Sequence, residues 1–260
     1  MAELHGTSVP HIVPTDIFLL ETFSSVEYLA ELRDTWGEMI EHLDKCLARF
    51  VKDSPGYRWW WPFSQQPDGV WSDRVLPNFR SSHAALVSGV IALSHGDPDG
   101  LYSAHGPHND FHGQKEYSDA WLTKADLGRY GDSLAKSSKM AGNIAATIEP
   151  YWSPGDLDDF QKLLAPVTIP VSMPAYRLNK SVTVKTGDRP PRIGVYVPDK
   201  EHSIAAFITT GKPAPDATVV IGVEDVCDDH GVKYAEQPEL EEQSCVWTLI
   251  ERVVPCANER

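Results

Sequence analysis

Cations are scarce in this 260-residue chain: 23 Lys and Arg stand against 37 Asp and Glu, a formal net charge of −14. Phosphate backbones are held by clustered lysine and arginine, so the shortage argues against nucleic acid as a partner. Long apolar runs are also missing. No window approaches the ~20 apolar residues of a membrane span. Residues Met1 to Pro14 lack the basic start and apolar core of an export signal, which predicts a protein that stays in the cytoplasm. The four cysteines, Cys46, Cys227, Cys245 and Cys256, form no CxxC pair and no zinc spacing, so free thiols in a reducing compartment are expected. There is no GxSxG elbow, no P-loop and no dinucleotide GxGxxG, and Gly187-Asp188-Arg189-Pro190 has too little glycine to cradle a phosphate. These absences predict a protein without catalysis, cofactor or resident metal.

The acids are not spread evenly. From Thr15 to Lys52, the residues Leu29, Leu32, Trp36, Ile40, Leu43, Leu47 and Phe50 recur at steps of three or four, the signature of one apolar helix face. Glu27, Glu31, Asp34, Glu38 and Glu41 keep the same step in opposite phase. At 100° per residue, position 31 lies about 200° around the helix from position 29, so the acids point to solvent. Like charges at this spacing cost a few tenths of a kcal/mol per pair. Most charged helix faces are simply solvated. A second cluster follows near the C-terminus: Glu224, Asp225, Asp228, Asp229, Glu236, Glu239, Glu241 and Glu242, against Lys233 alone. A run of this composition reads as a mobile, solvated loop. Two such clusters suit a basic protein partner.

With 42% hydrophobic residues the chain can bury a full core. Helical patterns fill its first two-thirds. Thr15 or Ser24 can cap a long first helix that Pro55-Gly56 ends. Pro77 suits the first turn of a second helix running to about Ser94, and Thr123 or Asp126 opens a third that carries Leu127, Leu134, Met140, Ile144 and Ile148. Ser153-Pro154 begins a short fourth helix with Leu157, Phe160, Leu163 and Leu164. After Pro166, Pro170 and Pro174 the runs become short and β-branched: Ser181 to Lys185, Ile193 to Val197, Ser203 to Thr209, Ala217 to Val223 and Cys245 to Val253. The pattern predicts an α+β fold, an N-terminal antiparallel helical bundle over 1–166 packed with a small β unit over 167–260 that is built as an antiparallel meander.

Two other segments carry unusual side chains. Consecutive tryptophans in Arg58-Trp59-Trp60-Trp61-Pro62-Phe63, with Trp71 close behind, cannot all face one core; they suit either a binding hot spot or, more commonly, the joint between the two units. The stretch His95, Asp97, Asp99, His105, His108, Asp110 and His112 holds good ligand types for zinc or iron. Its Gly and Pro content reads as a surface loop, and the spacing matches no closed ligand set. A metal-dependent hydrolase built on His105, His108, Asp110 and His112 is the alternative this segment leaves open.

The C-terminal part contains the string Thr186-Gly187-Asp188-Arg189-Pro190-Pro191-Arg192-Ile193-Gly194-Val195-Tyr196-Val197-Pro198, followed by Gly211-Lys212-Pro213-Ala214-Pro215. This resembles the bacterial polymorphic-toxin immunity proteins, notably the families called immunity protein 71 and 72, with their TG turn, Cys-Pro, Gly-x-Trp-x-Pro and Gly-x-x-Met-Pro. The chain departs from that pattern at Pro190, Tyr196 and Ala214, where cysteine, tryptophan and methionine are common. The resemblance implies a protein that binds a cognate toxin of a contact-dependent or type VI-like secretion system and blocks it in the cytoplasm. The acids named above at 27 to 41, with Glu224, Asp225, Asp228 and Asp229, would then complement a basic toxin surface. The oligomeric state is left open.

Overall fold

Pro14 pre-sets the φ of the first helical position, and the Val13 carbonyl accepts from the N–H of Asp16 at 3.0 Å. In this computed structural model, which describes residues 13–53, 62, 66–113, 117–157, 167–230 and 232–253, helix α1 accordingly spans Pro14–Phe23. Of the two starts expected for the long first helix, Thr15 and Ser24, the structure uses both regions, because the helix is divided. Ser25 Oγ accepts from the N–H of Tyr28 at 3.2 Å, an N-cap that starts a second helix, α2, over Val26–Asp53. Helix α3 (Pro67–Val70) continues through a π-type stretch at Trp71–Val75 into α4 (Leu76–Ser94). The wider turn falls just ahead of Pro77, which has no N–H and whose ring crowds the preceding turn.

The histidine-bearing stretch is helical rather than a loop. The Asp97 carboxylate accepts from the N–H of Asp99 at 3.0 Å and Pro98 follows, so a 3-10 turn forms over Pro98–Ala104 and runs into α5, His105–Gly113. It sits very close to α4: a Cβ on Gly89 would stand 2.5 Å from the Gly100 carbonyl oxygen, so only glycine fits there. Helix α6, Lys124–Ile148, begins at Thr123, whose Oγ1 accepts from the N–H of Asp126 at 3.2 Å.

The strands are β1 (Tyr176–Lys185), β2 (Gly194–Pro198), β3 (Ala206–Ile208), β4 (Ala217–Cys227), β5 (Lys233–Gln243) and β6 (Val246–Arg252). All pairings are antiparallel, and the fold is α+β with its helices mostly first and its strands last. The sheet is not a meander. Its order is β1-β6-β2-β3, because β6 inserts between β1 and β2, while β4 leaves to pair with β5 in a separate two-stranded ribbon.

The chain forms two compact units: Phe23–Ala146, and Met1–Thr22 with Thr147–Arg260. In the first, Trp36 is fully buried, donates from Nε1 to the Phe79 carbonyl at 2.9 Å and meets the Phe79 ring edge-on at 5.0 Å. Trp71 is buried against Trp121 and Tyr130, with ring centroids 5.2 and 5.9 Å apart. In the second unit, Tyr196, Trp247, Leu249, Val184 and Ile208 form the centre of the core, joined by Ala217 and Val219 from the base of β4. The Thr186–Pro198 string and the 211–215 segment are stitched to each other: Gly187 N–H donates to Ala214 O, and Ala214 N–H donates to Asp188 O, both at 2.8 Å. Gly187 has φ +85°, the left-handed conformation that suits glycine. Arg58 to Trp61, Phe63, Asp158, Asp159, Phe160, Leu163, Leu164, Pro166 and Cys256 lie outside the described residues. Among the described residues no helix is long and apolar enough to cross a membrane.

Candidate functional site

The acidic side chains expected on α2 are all exposed: Glu27, Glu31, Asp34, Glu38 and Glu41 lie opposite the buried row Leu29, Leu32, Trp36, Ile40, Leu43 and Leu47. Most of their charge is answered locally. Lys136 on α6 donates to Glu31 at 2.7 Å, Lys45 stands 3.6 Å from Glu41, and Arg33 grips Asp34 through two bonds of 2.8 and 3.0 Å. That bidentate contact holds the Asp34 carboxyl below its usual range. Glu27 and Glu38 have no ion pair among the described residues.

The second cluster has a different architecture from the solvated loop expected for it. Residues 224–242 belong to the paired arms of β4 and β5, in register from Ala217↔Gln243 to Cys227↔Lys233. Each arm is eleven residues long, about 35 Å when extended. Only the base is anchored: Ala217 and Val219 enter the core, and the N–H of Val220 donates to His202 O at 2.9 Å. Beyond it every residue of β5 except Gln243 is exposed, as are Ile221, Val223, Glu224 and Asp225 on β4. Val223 is 65% and Tyr234 69% exposed.

This ribbon carries eight carboxylates and one lysine over residues 217–243, a balance of −7 and thus half of the whole chain's −14. Asp225 and Glu236 face each other across the strands, a like-charge pair that would weaken the ribbon. Lys233 relieves it by reaching both, at 2.6 and 2.5 Å, and the two carboxylates raise the lysine's own pKa. Gln237 donates to Glu224 at 2.5 Å. Asp228 has a structural duty, accepting the N–H groups of His230 and Val232 at 2.9 Å each. For Asp229, Glu239 and Glu242 there is no side-chain ion pair among the described residues. The ribbon is a strongly anionic arm on which Ile221, Val223, Val232, Tyr234 and Leu240 are exposed as well.

The histidine stretch does not gather into a ligand set among the described residues. His105 and His108 lie on α5, as does His112 at its end. Asp110 instead accepts from Ser82 Oγ at 2.6 Å and from the Asn78 amide. Burial raises its pKa, and those two bonds oppose the rise.

A different group does come together. His42 and Cys46, one turn apart on the buried side of α2, meet Asp126 at the start of α6, with their ligand atoms all within 4.8 Å of one another. Sequence reasoning passed over this trio because His42 and Cys46 share the phase of the apolar row. The legible signal was the H-x3-C step on that face, since two residues four apart lie on the same side of a helix. Arg49 borders the trio, donating to Asp126 and, at 3.5 Å, to Cys46 Sγ. Burial, followed by the Asp126 charge, pushes the Cys46 thiol up. Cys46, Cys227 and Cys245 are free thiols.

The cleft lined by Thr147, Trp152, Phe207 and Trp247 in the second unit has a volume of about 20 Å³, room for a water and not for a metabolite. No protein-family model matches the chain, and no curated protein or solved structure matches it.

Proposed function

We propose that the protein is a toxin-immunity protein of the cytoplasm whose β4–β5 ribbon docks into a basic cleft of its cognate secreted toxin. The observation that carries this reading is the concentration of half the net charge on one exposed, narrow arm. An arm two strands wide can enter a cleft that a globular surface cannot. Its carboxylates can occupy the positions where a nuclease or nucleotide-consuming toxin holds phosphates, and a charged patch of this density speeds encounter with a basic partner. A two-stranded ribbon is marginally stable by itself, so a partner lying along it would also supply the contacts it lacks. Acids along both open edges keep the arm from pairing with copies of itself while it waits.

The α2 acids form a weaker, second contact. Glu27 and Glu38 are the ones available, since Glu31, Asp34 and Glu41 already face a cation. The resemblance of the Thr186–Pro198 string to immunity proteins supports the class and not the contact: its residues have scaffold duties, with Tyr196 fully buried and its hydroxyl donating to Arg192 O at 2.5 Å.

The test is co-purification with the toxic C-terminal domain of the secreted protein encoded beside this gene. A tight equimolar complex that protects cells from the toxin is expected. A neighbourhood of metabolic genes, or no complex, contradicts the proposal.

A further inference from the structure

We infer that His42, Cys46 and Asp126 form a binding site for a zinc-class divalent cation, with Arg49 as the residue the cation displaces.

The donor set is one imidazole, one thiol and one carboxylate, the mixture that suits borderline-soft zinc and not calcium or magnesium. Tetrahedral zinc with metal–sulfur ~2.3 Å and metal–nitrogen ~2.0 Å places those two donors about 3.5 Å apart, and a nitrogen and an oxygen about 3.4 Å apart. His42 Nε2 lies 3.7 Å from Cys46 Sγ and 3.8 Å from Asp126 Oδ1, so for these two pairs shifts of a few tenths of an ångström suffice, and all three donor atoms lie within 4.8 Å of one another. The positions are held from both sides. His42 and Cys46 share a rigid helix, while Asp126 is fixed by Thr123, which donates to its carboxylate at 2.5 Å and accepts from its N–H. His42 and Cys46 are buried, which removes most competing water.

Arg49 already supplies a positive charge to this trio, bonding to both Asp126 and Cys46. Its side chain is 53% exposed and sits on the solvent side. It can swing outward, leaving Asp126 and Cys46 to a metal and opening the fourth coordination position to water. Binding forms a zinc–sulfur bond and breaks the S–H bond of Cys46, whose proton passes to solvent; no oxidation is involved. In the structure Nε2 lies 3.2 Å from the Asp126 backbone carbonyl, which can only accept, so the cation displaces this bond as well and His42 keeps its proton on Nδ1 instead. Three protein ligands and one open position make a site able to hold a further donor from a bound partner.

The test uses the full-length chain stripped of metal, titrated with Zn²⁺ by calorimetry and with Co²⁺ by absorption. The expected result is one Zn²⁺ per chain and a thiolate-to-cobalt charge-transfer band. Cys46→Ser should abolish the band and weaken Zn²⁺ binding at least about tenfold, and Asp126→Asn should weaken it comparably, while Arg49→Ala tightens it several-fold. His42→Gln offers the same reading if Cys46→Ser fails to fold. No equimolar uptake by the unaltered chain overturns the assignment. So does a band and affinity that Cys46→Ser and His42→Gln leave unchanged.

Discussion

Helix α2 and the β4–β5 ribbon are both acidic, and in the sequence neither carries a catalytic motif. Folding makes them opposites. On α2 the carboxylates line the outer face of an element whose other face is the core, and Lys136, Arg33 and Lys45 answer three of the five. On the ribbon there is no other face, and one lysine serves eight acids. Charge that decorates a stable helix needs no partner to explain it. Charge gathered on an arm that buries almost nothing is the surface to which the proposal assigns a partner.

The comparison can be broken most sharply through stability. Leu32→Ala on the buried face of α2 should cost about 2–5 kcal/mol in denaturant unfolding. Val223→Ala, on the exposed ribbon, should stay within about 0.5 kcal/mol. Equal costs would mean that the ribbon is packed in solution. Amide exchange gives the next largest contrast. Amides of 222–240 should exchange at least about a hundredfold faster than those of 36–43 in α2, reflecting local opening of the arm.

Acid sharpens the contrast from the helical side. Asp126 is held below its usual range, first by the Thr123 hydroxyl, so its contribution to stability is complete above about pH 4 and is lost as pH falls through its lowered folded value. Asp126→Asn should therefore be less stable than the unaltered chain at pH 6, and the two melting curves should converge as pH falls below the usual carboxylate range. A gap independent of pH would show that the carboxylate charge is not the cause. The smallest effect belongs to Lys136→Ala. Removing this exposed partner of Glu31 should change stability by less than about 1 kcal/mol.

The helical phase of residues 29 to 50 was legible because burial on one side imposes a period that the letters preserve. Ser153-Pro154 and the tryptophan triplet carried equally clear local signals, yet most of those stretches lie outside the described residues. Strand β5 was not legible. Lys-Tyr-Ala-Glu-Gln-Pro-Glu-Leu-Glu-Glu-Gln has no alternation because neither face is buried, and its strand character comes from hydrogen bonding to β4, which leaves no mark on residue type. The meander failed for a related reason. Hydrophobic alternation reports that a strand is half-buried, not which neighbour it pairs with, so the insertion of β6 between β1 and β2 was invisible. The start of α2 was offered in the sequence at Ser24, as an alternative to Thr15, and the structure places the cap one residue on at Ser25.

The acidic surfaces were found in the sequence, but their ranking was not. Which carboxylates are answered depends on Lys136 meeting Glu31 across 105 positions, a contact that only the fold creates. The His42, Cys46 and Asp126 trio was hidden by the same logic, since two of its members read as core.

The most direct test is the affinity for the toxin domain encoded beside this gene, measured by surface plasmon resonance at low and at high salt for two charge reversals. Reversal on the ribbon, with Glu224→Lys, Glu236→Lys and Glu239→Lys combined, should weaken binding about a hundredfold at low salt and flatten its salt dependence. Reversal on the helix, with Glu27→Lys and Glu38→Lys combined, should weaken it less than about tenfold. A ribbon reversal that leaves affinity intact, in a protein that still melts like the unaltered chain, would contradict the account.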